Sequence, residues 1–407
     1  MPSLIWVNQF ASLPSDGGGT RHFELGRELV RRGWSVTIMA SDLHLHTRRF
    51  TRRARETDRE AHFERIEDVD IRWLWAAPYQ RNDWRRAWNW LSFNRSVVRE
   101  LRHLTDRADV VIGSSPQIFA ASAARSLARK MGARFVFEVR DLWPESLVAA
   151  GGRRGIAYVL LDRVARGLYR DADRILVLAG GVGEYLVKRG IRADRIVHVP
   201  NGVDLCAIRP PVEARAGRAG SGPIRLIYAG AHGPANGLER VLDAAAALRR
   251  ELDVRFVLVG DGPSKDSLRR DAAAGGLSNV EFVEPVGKTE LLSLLQQADA
   301  GLMVLRDAPL FSFGVSPNKL FDYLAAGLPV ISNVPGEVGT LVSESGAGIQ
   351  ARDSSGGALA DAVRELVALG PLGRRHKGQR GRAWVEREHS REALGQRLDQ
   401  ALRDMIK

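Results

Sequence analysis

The chain has a single cysteine, Cys206, among its 407 residues. One thiol cannot form an internal disulfide or supply a metal site that needs several cysteine ligands, and this scarcity fits a reducing compartment. No apolar run approaches the roughly 20 residues that a helix needs to span a bilayer. Residues 1–7 lack a basic segment followed by an apolar stretch, so no signal peptide is predicted. We therefore expect a cytoplasmic protein.

The chain has fewer acidic than basic residues. The chain has 60 Lys and Arg against 48 Asp and Glu, which gives a formal net charge of +12. This excess predicts an anionic partner, either a nucleic acid or a membrane surface. No nucleic-acid-binding motif accompanies the basic residues, so we predict no nucleic-acid partner.

Segment 81–107 favours the membrane. Its cations are Arg81, Arg85, Arg86, Arg95, Arg99, Arg102 and Arg107, interleaved with Trp84, Trp88, Trp90 and Phe93. At about 100° per residue, one helix side carries Trp90, Leu91, Asn94, Val97 and Leu101, and an adjacent side carries Arg81, Trp84, Trp88, Arg95, Arg99 and Arg102. A basic, tryptophan-bearing face beside a core face is typical of a helix that lies on an anionic membrane. The alternative is a solvated arginine-rich helix whose tryptophans pack on a neighbouring loop.

Short apolar segments alternate with helical patterns, which predicts parallel sheets built from βαβ units. The predicted strands are residues 4–7, 35–40, 69–74, 109–113, 134–138, 174–178 and 195–199, then 224–229, 254–260, 280–283, 300–305, 329–332 and 347–350. Residues 209–223 are rich in Pro and Gly and have no apolar periodicity, which is typical of a linker.

The length of the chain favours two domains. We predict an α/β protein with two doubly wound, Rossmann-like domains that face each other across a cleft, where the carboxyl ends of their strands bind ligands. The predicted boundaries are residues 1–205, a linker at 206–223, and residues 224–385, with a final helix at about 386–407 packing back on the first domain.

Glycine-rich turns follow the predicted strands. Gly17, Gly18 and Gly19 lie between the first strand and the helix predicted at residues 21–32. Residues 230–237 and 260–263 are the corresponding turns of the second half. The triple glycine departs from the dinucleotide-binding spacing, and no Walker lysine is present, so neither an NAD enzyme nor a P-loop hydrolase is predicted.

Segment 313–331 has the features of an anion site. Ser316 is a predicted N-cap and Pro317 a first helical residue, which together leave backbone N–H groups at the positive end of a helix dipole. Lys319 falls in the first turn, and Asp322 is placed to accept hydrogen bonds from a sugar hydroxyl. The alternative is an ordinary capped amphipathic helix with Leu320 on its apolar face.

Several motifs occur in a recognisable order. They are the triple glycine, Arg-Arg-Gly-Trp-Ser-Val-Thr at 31–37, Glu-Val-Arg-Asp-Leu-Trp-Pro-Glu-Ser at 138–146, Val-Pro-Asn-Gly-Val-Asp at 199–204, Leu-Val-Gly-Asp-Gly-Pro at 258–263, and segment 313–331. Over nearly its whole length the chain resembles GT-B fold glycosyltransferases of the retaining family 4. Within that family it is similar to the bacterial surface-polysaccharide branch, which includes fucosamine transferases of lipopolysaccharide O-antigen and capsule assembly.

The resemblance implies a reaction. A sugar passes from a nucleoside diphosphate sugar, expected to be UDP-linked, to an acceptor hydroxyl with retention at the anomeric carbon, without a metal or other cofactor. It also implies contacts to the donor or other bound phosphates, from Gly17, Gly18, Gly19, Arg140, Gly230, His232, Gly262, Val286, Gly314, Ser316, Pro317, Asn318, Lys319, Leu320 and Asp322.

This chain departs from the family pattern in segment 313–331. Two glutamates separated by seven residues usually contact the donor sugar and the ribose, and here Gly314 and Asp322 occupy those positions. Asp322 retains a carboxylate, whereas Gly314 offers only its backbone. We therefore hypothesise that the space at Gly314 admits an N-acetylated or deoxy sugar.

A second departure concerns the diphosphate. Many members place Arg and Lys after the first strand of the second domain, where this chain has Ala231, His232, Pro234, Ala235 and Asn236. Lys319 and its helix N-terminus are therefore expected to bind the diphosphate, with His232 as a helper.

The third departure lies at 140–145. Members commonly carry His before the Asp equivalent to Asp141, but Arg140 stands here and cannot act as a base because it is permanently charged. Arg140 either binds a phosphate or pairs with Asp141 or Glu145. Asp141 and Glu145 join Lys319 as predicted catalytic residues, for acceptor orientation or proton handling, unless they only cap the loop.

Two other functions remain open at this stage. One is a UDP-sugar 2-epimerase of the same fold, and the other is a non-catalytic sugar-nucleotide-binding assembly protein, which Gly314 favours. For the transferase, the expected acceptor is a polyprenyl-diphosphate-linked saccharide, reached at the inner face of the cytoplasmic membrane through the Arg/Trp face of 81–107.

Overall fold

The chain folds into two compact α/β units. The computed structural model describes residues 1–16, 19–45, 47–81, 83–104, 107–149, 154–208, 222–307 and 314–407. The first unit is Met1–Pro200 with Leu394–Lys407, and the second is Asn201–Ala393. Most of the predicted linker, residues 209–221, lies outside the described residues.

The first unit is built on a sheet with the described strand order β3-β4-β2-β1-β5-β6-β7-β8. Its strands are β1 (Ser3–Val7), β2 (Ser35–Ser41), β3 (His62–Ile66), β4 (Val69–Leu74), β5 (Val110–Ser114), β6 (Arg134–Val139), β7 (Arg174–Val177) and β8 (Ile196–His198). All neighbours are parallel except β3 and β4. The sequence order reverses direction at β1, whose Trp6 aligns with Ile38 on one side and Ile112 on the other. Ligands of such sheets bind beyond the carboxyl ends of the strands at this reversal.

Helices cover both faces of this sheet. They are α1 (Arg21–Arg31), α2 (Trp84–Glu100), α3 (Ile118–Met131), α4 (Glu145–Ala149), α5 (Ile156–Asp171) and α6 (Gly180–Lys188), with the last helix of the chain, α14 (Arg391–Ile406), joining them. Leu394, Leu398 and Leu402 of α14 recur every four residues and are fully buried in the core beneath α1. The indole of Trp34 donates to Asp399 of α14 at 2.6 Å, so the end of the chain is part of the first unit.

The second unit repeats the architecture with the described strand order β11-β10-β9-β12-β13-β14, all parallel. Its strands are β9 (Ile224–Ala229), β10 (Val254–Val259), β11 (Val280–Val283), β12 (Ala300–Met303), β13 (Val330–Ser332) and β14 (Gly348–Gln350). Its helices are α7 (Glu239–Leu248), α8 (Lys265–Ala274), α9 (Lys288–Gln297), α10 (Asn318–Ala325), α11 (Glu337–Glu344), α12 (Gly356–Ala368) and α13 (Gly370–Glu388). The order reverses at β9, so the turn after β9 is the equivalent ligand edge.

Every predicted strand is present, with ends that differ by one or two residues. Strand β3 was not predicted, because its residues alternate between exposed and half-buried. It pairs antiparallel at the sheet edge, where one face remains in solvent and no continuous apolar run is needed.

The predicted core face of α2 is partly wrong. The buried residues are Asn89, Ser92, Phe93, Val97 and Glu100, whereas Leu91 is exposed. The polar members are buried because they bond to neighbours: Asn89 donates to the Ala77 carbonyl at 2.7 Å, and Ser92 accepts from the Ala77 N–H at 2.7 Å. An apolarity pattern cannot anticipate such partners. Within the described part of the chain, no helix is long and apolar enough to cross a membrane.

Candidate functional site

Lys319 lies beside the turn that follows β9. Its Nζ donates to Tyr228 Oη at 2.8 Å and to Asn236 Oδ1 at 3.3 Å, and lies 4.1 Å from the centroid of the Tyr228 ring. Tyr228 is on β9, and Asn236 closes the short 3₁₀ turn Pro234–Asn236. Among the described residues, Lys319 has no carboxylate partner. The ammonium is thus held by neutral groups, which leaves its charge available to an anion.

Burial lowers the pKa of Lys319 from its ordinary value of 10.5 to about 7. Removing an ammonium from water disfavours its charged form, and no neighbouring anion compensates. A bound diphosphate would reverse this shift because it favours the protonated form. Lys319 is therefore a cation whose charge depends on its ligand.

The start of α10 differs from the prediction by one residue. Pro317 is the N-cap, helix α10 begins at Asn318, and no side chain caps it. Ser316 is half-buried and bonds elsewhere: its Oγ accepts from the Asn201 N–H at 2.8 Å, and its carbonyl accepts from Asn201 Nδ2 at 2.6 Å. The predicted N-cap role of Ser316 is therefore wrong, and the first N–H groups of α10 are left without a side-chain acceptor, as an anion site requires.

Close packing explains the glycine after β9. Gly230 has φ of +151°, and a Cβ there would come within 3.3 Å of both Cε and Nζ of Lys319. Gly262 lies against the same turn, where a Cβ would meet the His232 carbonyl oxygen at 2.6 Å. The glycines allow the two turns and the lysine to pack together.

His232 lies beneath this turn. Its side chain is fully buried between the rings of Tyr228 and Phe282, with centroid separations of 6.0 and 6.3 Å. Burial, together with the nearby charge of Lys265, lowers the pKa of His232. The imidazole is thus neutral at pH 7 and shielded from solvent, so it does not add a cation beside Lys319.

All but one of the predicted donor contacts that remain in the second unit lie on α10 or just before it. Gly314 has φ of +88°, a conformation that costs other residues about 1 kcal/mol or more. Asp322 is half-buried one turn after Lys319, and Asn318 is exposed. Leu320 is fully buried, so only its backbone could meet a ligand. Val286 is half-buried after β11 and packs on the core.

The first unit carries a second unpaired cation. Arg140 follows β6, and its Nη2 would lie 3.9 Å from a Cβ on Gly19. Its buried Nε lacks a hydrogen-bond partner, and among the described residues the guanidinium has no carboxylate partner. The predicted alternative of a pair with Asp141 or Glu145 is therefore wrong. Gly17 and Gly18 lie outside the described residues.

Ser115 fixes the turn that holds Asp141. Its Oγ accepts from the N–H groups of Arg140 at 2.8 Å and Asp141 at 3.2 Å. The Asp141 side chain itself reaches solvent. Even so, desolvation by the surrounding protein raises the pKa of the Asp141 carboxyl, and the Arg140 charge opposes the rise.

Glu145 is already engaged. Its Oε1 accepts from Tyr185 Oη at 2.7 Å and from Arg189 Nη1 at 3.0 Å. These contacts tie the start of α4 to α6 and occupy the carboxylate. The structure thus favours a structural role for Glu145 and leaves Asp141 as the accessible carboxylate of this loop.

A buried ionic network, missed in the sequence, underlies the turn at Gly19. Glu138 Oε1 accepts from Arg21 Nε at 3.0 Å, and its Oε2 accepts from Ser114 Oγ at 2.6 Å and lies 3.1 Å from His22 Nε2. All these groups are fully or almost fully buried. Burial opposes ionisation of Glu138, but Arg21 and His22 outweigh it and hold its pKa well below the usual range. Burial lowers the pKa of His22 to about 4, so its imidazole is neutral at pH 7. The adjacent basic residue types Arg21 and His22, which open α1 one residue after the triple glycine, were the available signal.

No group of three or more His, Cys, Asp or Glu side chains in the described ranges could hold a metal ion. The two anion-binding candidates therefore consist of cations and backbone N–H groups. The first-unit candidate is Arg140 beside Gly19, and the second-unit candidate is Lys319 with the start of α10.

Comparisons with known proteins identify both units. Residues 16–202 match the model of a glycosyl transferase 4-like domain, and residues 223–368 match that of glycosyl transferases group 1. A similar curated protein is WcaI of Escherichia coli K12, named a colanic acid biosynthesis glycosyl transferase, which is 26% identical over 231 residues, or 54% of this chain and 56% of that protein. The chain thus matches just over half the length of this curated relative.

Solved structures share the fold at low sequence identity. Sucrose-phosphate synthase from Thermosynechococcus elongatus has a TM-score of 0.74 at 17% identity, covering 100% of this chain and 99% of that chain. The Anabaena protein Alr3699/HepE, solved in complex with UDP-glucose, has a TM-score of 0.70 at 15% identity, covering 99% of each chain. Each unit matches a glycosyltransferase model and the whole chain aligns with solved structures of such enzymes, so this protein has the GT-B glycosyltransferase fold.

Proposed function

We propose that this protein is a retaining glycosyltransferase of bacterial surface-polysaccharide synthesis, which uses a nucleoside diphosphate sugar, expected to be UDP-linked. The observation that supports this most is the ammonium of Lys319, held by Tyr228 and Asn236 next to the open start of α10. A leaving diphosphate gains negative charge in the transition state. A preorganised cation and N–H groups there stabilise that state more than the ground state.

The chemistry assigned to the remaining residues follows from their positions. Asp322 is proposed to accept hydrogen bonds from the ribose, and Asp141 to orient the acceptor hydroxyl or receive its proton. The raised pKa of Asp141 suits a group that exchanges a proton. Glu145 is not assigned a catalytic role, because Tyr185 and Arg189 occupy its carboxylate.

A donor screen tests the function. Release of UDP, GDP or TDP from their sugars is measured with purified protein, with and without a polyprenyl-diphosphate-linked saccharide. Transfer to the lipid-linked acceptor supports the proposal. Nucleotide release without any acceptor would instead support the epimerase, which the glycosyltransferase matches do not favour. Tight nucleotide binding with no turnover of any donor would support a sugar-nucleotide-binding assembly protein.

Sugar choice is assigned to Gly314. Replacing it with Glu would restore the usual carboxylate but would also strain a backbone with φ of +88°. Asn tolerates positive φ better than other non-glycine residues, so Gly314→Asn with Gly314→Ala as its control separates side-chain filling from strain. We expect Gly314→Asn to lose N-acetylated donors before smaller ones, and Gly314→Ala, which adds only a methyl group to the same strained backbone, to lose them less. An unchanged donor preference in Gly314→Asn would contradict this assignment.

The acceptor is proposed to be lipid-linked, because α2 presents a basic, aromatic face. Trp84 is 71% and Trp88 46% exposed, so neither packs away on a neighbouring loop. Tryptophan is favoured at the membrane–water interface. We expect the Trp84→Ala, Trp88→Ala double variant to lose liposome association, and binding equal to that of the parent protein would refute docking through α2.

A further inference from the structure

A cavity of about 740 Å³ lies in the first unit between α2 and strands β3 and β4. Its volume falls within the range of about 300–1,000 Å³ that is typical of small-ligand sites. The proposed transfer reaction uses none of the residues that line it. Its basic wall consists of Arg59, Arg72, Arg95, Arg99 and His103.

Basic side chains outnumber acidic ones in the lining of this cavity. Its carboxylates are Glu60 and Glu100, and Glu100 already pairs with Arg72. Arg95 and Arg99, one turn apart on α2, have no ion-pair partner among the described residues. Like charges at this spacing repel each other and destabilise a helix. An anion in the cavity would remove that repulsion and supply the missing partner.

The rim of the cavity is apolar and exposed. Trp88 lines the cavity and continues the exposed stripe that α2 forms with Trp84 and Leu91, at spacings of four and three residues. Phe63, which is 61% exposed, forms the opposite side. A free anion would gain nothing from such a rim. A lipid would use both parts, with its phosphate among the arginines and its glycerol and upper acyl segments against the aromatic rings.

We propose that this cavity binds the phosphate-bearing headgroup of an anionic membrane lipid. The inference deepens the proposed membrane docking of α2 and rests on it for its biological setting. The site differs from the donor and acceptor sites, since it lies at the edge formed by β3 and β4 rather than beyond the turns at Gly19 or Gly230. Trp84 and Leu91 provide attachment to any bilayer, and Arg95 and Arg99 provide the preference for anionic lipid.

A soluble lipid tests the cavity without a membrane. Dihexanoyl phosphatidylglycerol, below its micelle concentration, is titrated calorimetrically into the full chain and into the Arg95→Gln, Arg99→Gln variant. Dihexanoyl phosphatidylcholine and inorganic phosphate are the comparison ligands. Of the three ligands, we expect the parent protein to bind only dihexanoyl phosphatidylglycerol. The variant should bind this lipid with at least tenfold lower affinity. Equal binding by both proteins, or phosphate binding as tight as that of the lipid, would overturn the proposal.

Vesicles test the biological setting. Cosedimentation is measured with phosphatidylcholine vesicles, with and without 30% phosphatidylglycerol. The matched control is Arg250→Gln, Arg270→Gln, which removes the same charge from exposed sites of the second unit. The cavity variant should lose the preference for anionic vesicles, whereas the control should keep it. Loss of the preference in both would show a general charge effect and overturn the site.

Lipid binding in the cavity and membrane docking through α2 can each be refuted without the other. If the parent protein binds no vesicles but still binds the soluble anionic lipid, docking through α2 is wrong and the cavity stands. Acceptor-dependent nucleotide release in the donor screen reports glycosyl transfer independently of both. Unchanged thermal melting of the Arg95→Gln, Arg99→Gln variant confirms that any loss arises from the cavity.

Discussion

The turns at Gly19 and Gly230 occupy equivalent edges of the two sheets, and each places one unpaired cation beside a glycine. In the first unit the cation is Arg140, whose charge is permanent, above a buried network of Arg21, His22 and Glu138. In the second unit it is Lys319, held by neutral Tyr228 and Asn236 with its pKa lowered to about 7. The same fold thus supplies a fixed charge at one turn and a ligand-dependent charge at the other.

The largest effect is expected from disrupting the buried network of Arg21, His22 and Glu138, which supports the turn at Gly19 but not the turn at Gly230. Glu138→Ala leaves Arg21 buried without its carboxylate, and breaking such a pair typically costs about 3–5 kcal/mol in the free energy of unfolding. Eight of the nine tryptophans belong to the first unit, so tryptophan fluorescence during urea unfolding reports its stability. Exposed Glu184→Ala is the control and should change stability by less than about 0.5 kcal/mol. A stable Glu138→Ala protein would mean that the network does not support this turn.

The second-largest effect is expected from removing the ammonium of Lys319 beside the turn at Gly230. Lys319→Ala should lower kcat/KM for the donor by about 10²–10³, the usual result of removing a group that stabilises developing negative charge. Lys188→Ala, an exposed lysine of the first unit, is the control. Steady-state nucleotide release measures both variants. Near-normal turnover by Lys319→Ala would show that another group binds the diphosphate.

The third effect follows from the lowered pKa of Lys319. The free protein loses the ammonium as the pH rises through about 7, while bound diphosphate favours the charged form. Affinity for UDP should therefore be nearly constant below pH 7 and fall by up to about tenfold per unit above it. At pH 8, calorimetry in buffers of different ionisation enthalpy should detect uptake of close to one proton. Lys319→Gln should abolish this uptake, and an identical uptake in that variant would assign the proton elsewhere.

The smallest effect is expected at Arg140. We propose that Arg140 binds a phosphate of the acceptor, so Arg140→Gln should raise the KM of the acceptor by about tenfold, or roughly 1.4 kcal/mol. The pH dependence should change little, because the charge of Arg140 does not titrate near neutral pH. Exposed Arg163→Gln, on α5, is the charge-matched control. A change in the KM of the donor instead would place the donor phosphates, rather than the acceptor, at Arg140.

Much of the chemistry could be read from local sequence. The strands were predictable because buried parallel strands are continuous apolar runs. The candidate anion site was predicted because Pro317 and Lys319 lie only two residues apart in sequence. The cap at Ser316 was predicted wrongly, since Asn201, 115 residues away, uses its hydroxyl. The partners of Lys319 were missed for the same reason: Tyr228 and Asn236 are 91 and 83 residues distant.

The sequence by itself determined the fold class, the glycine-rich turns and the identity of the two cations, because strand periodicity, turn chemistry and residue type are local properties. Only the tertiary structure decided which cation is titratable, because the pKa of Lys319 depends on burial among distant groups. It also decided that Glu145 is occupied, that His232 is shielded, and that Arg95 and Arg99 of α2 line a cavity. Burial and pairing are properties of the packed chain, and they distinguish a positive residue from a site for an anion.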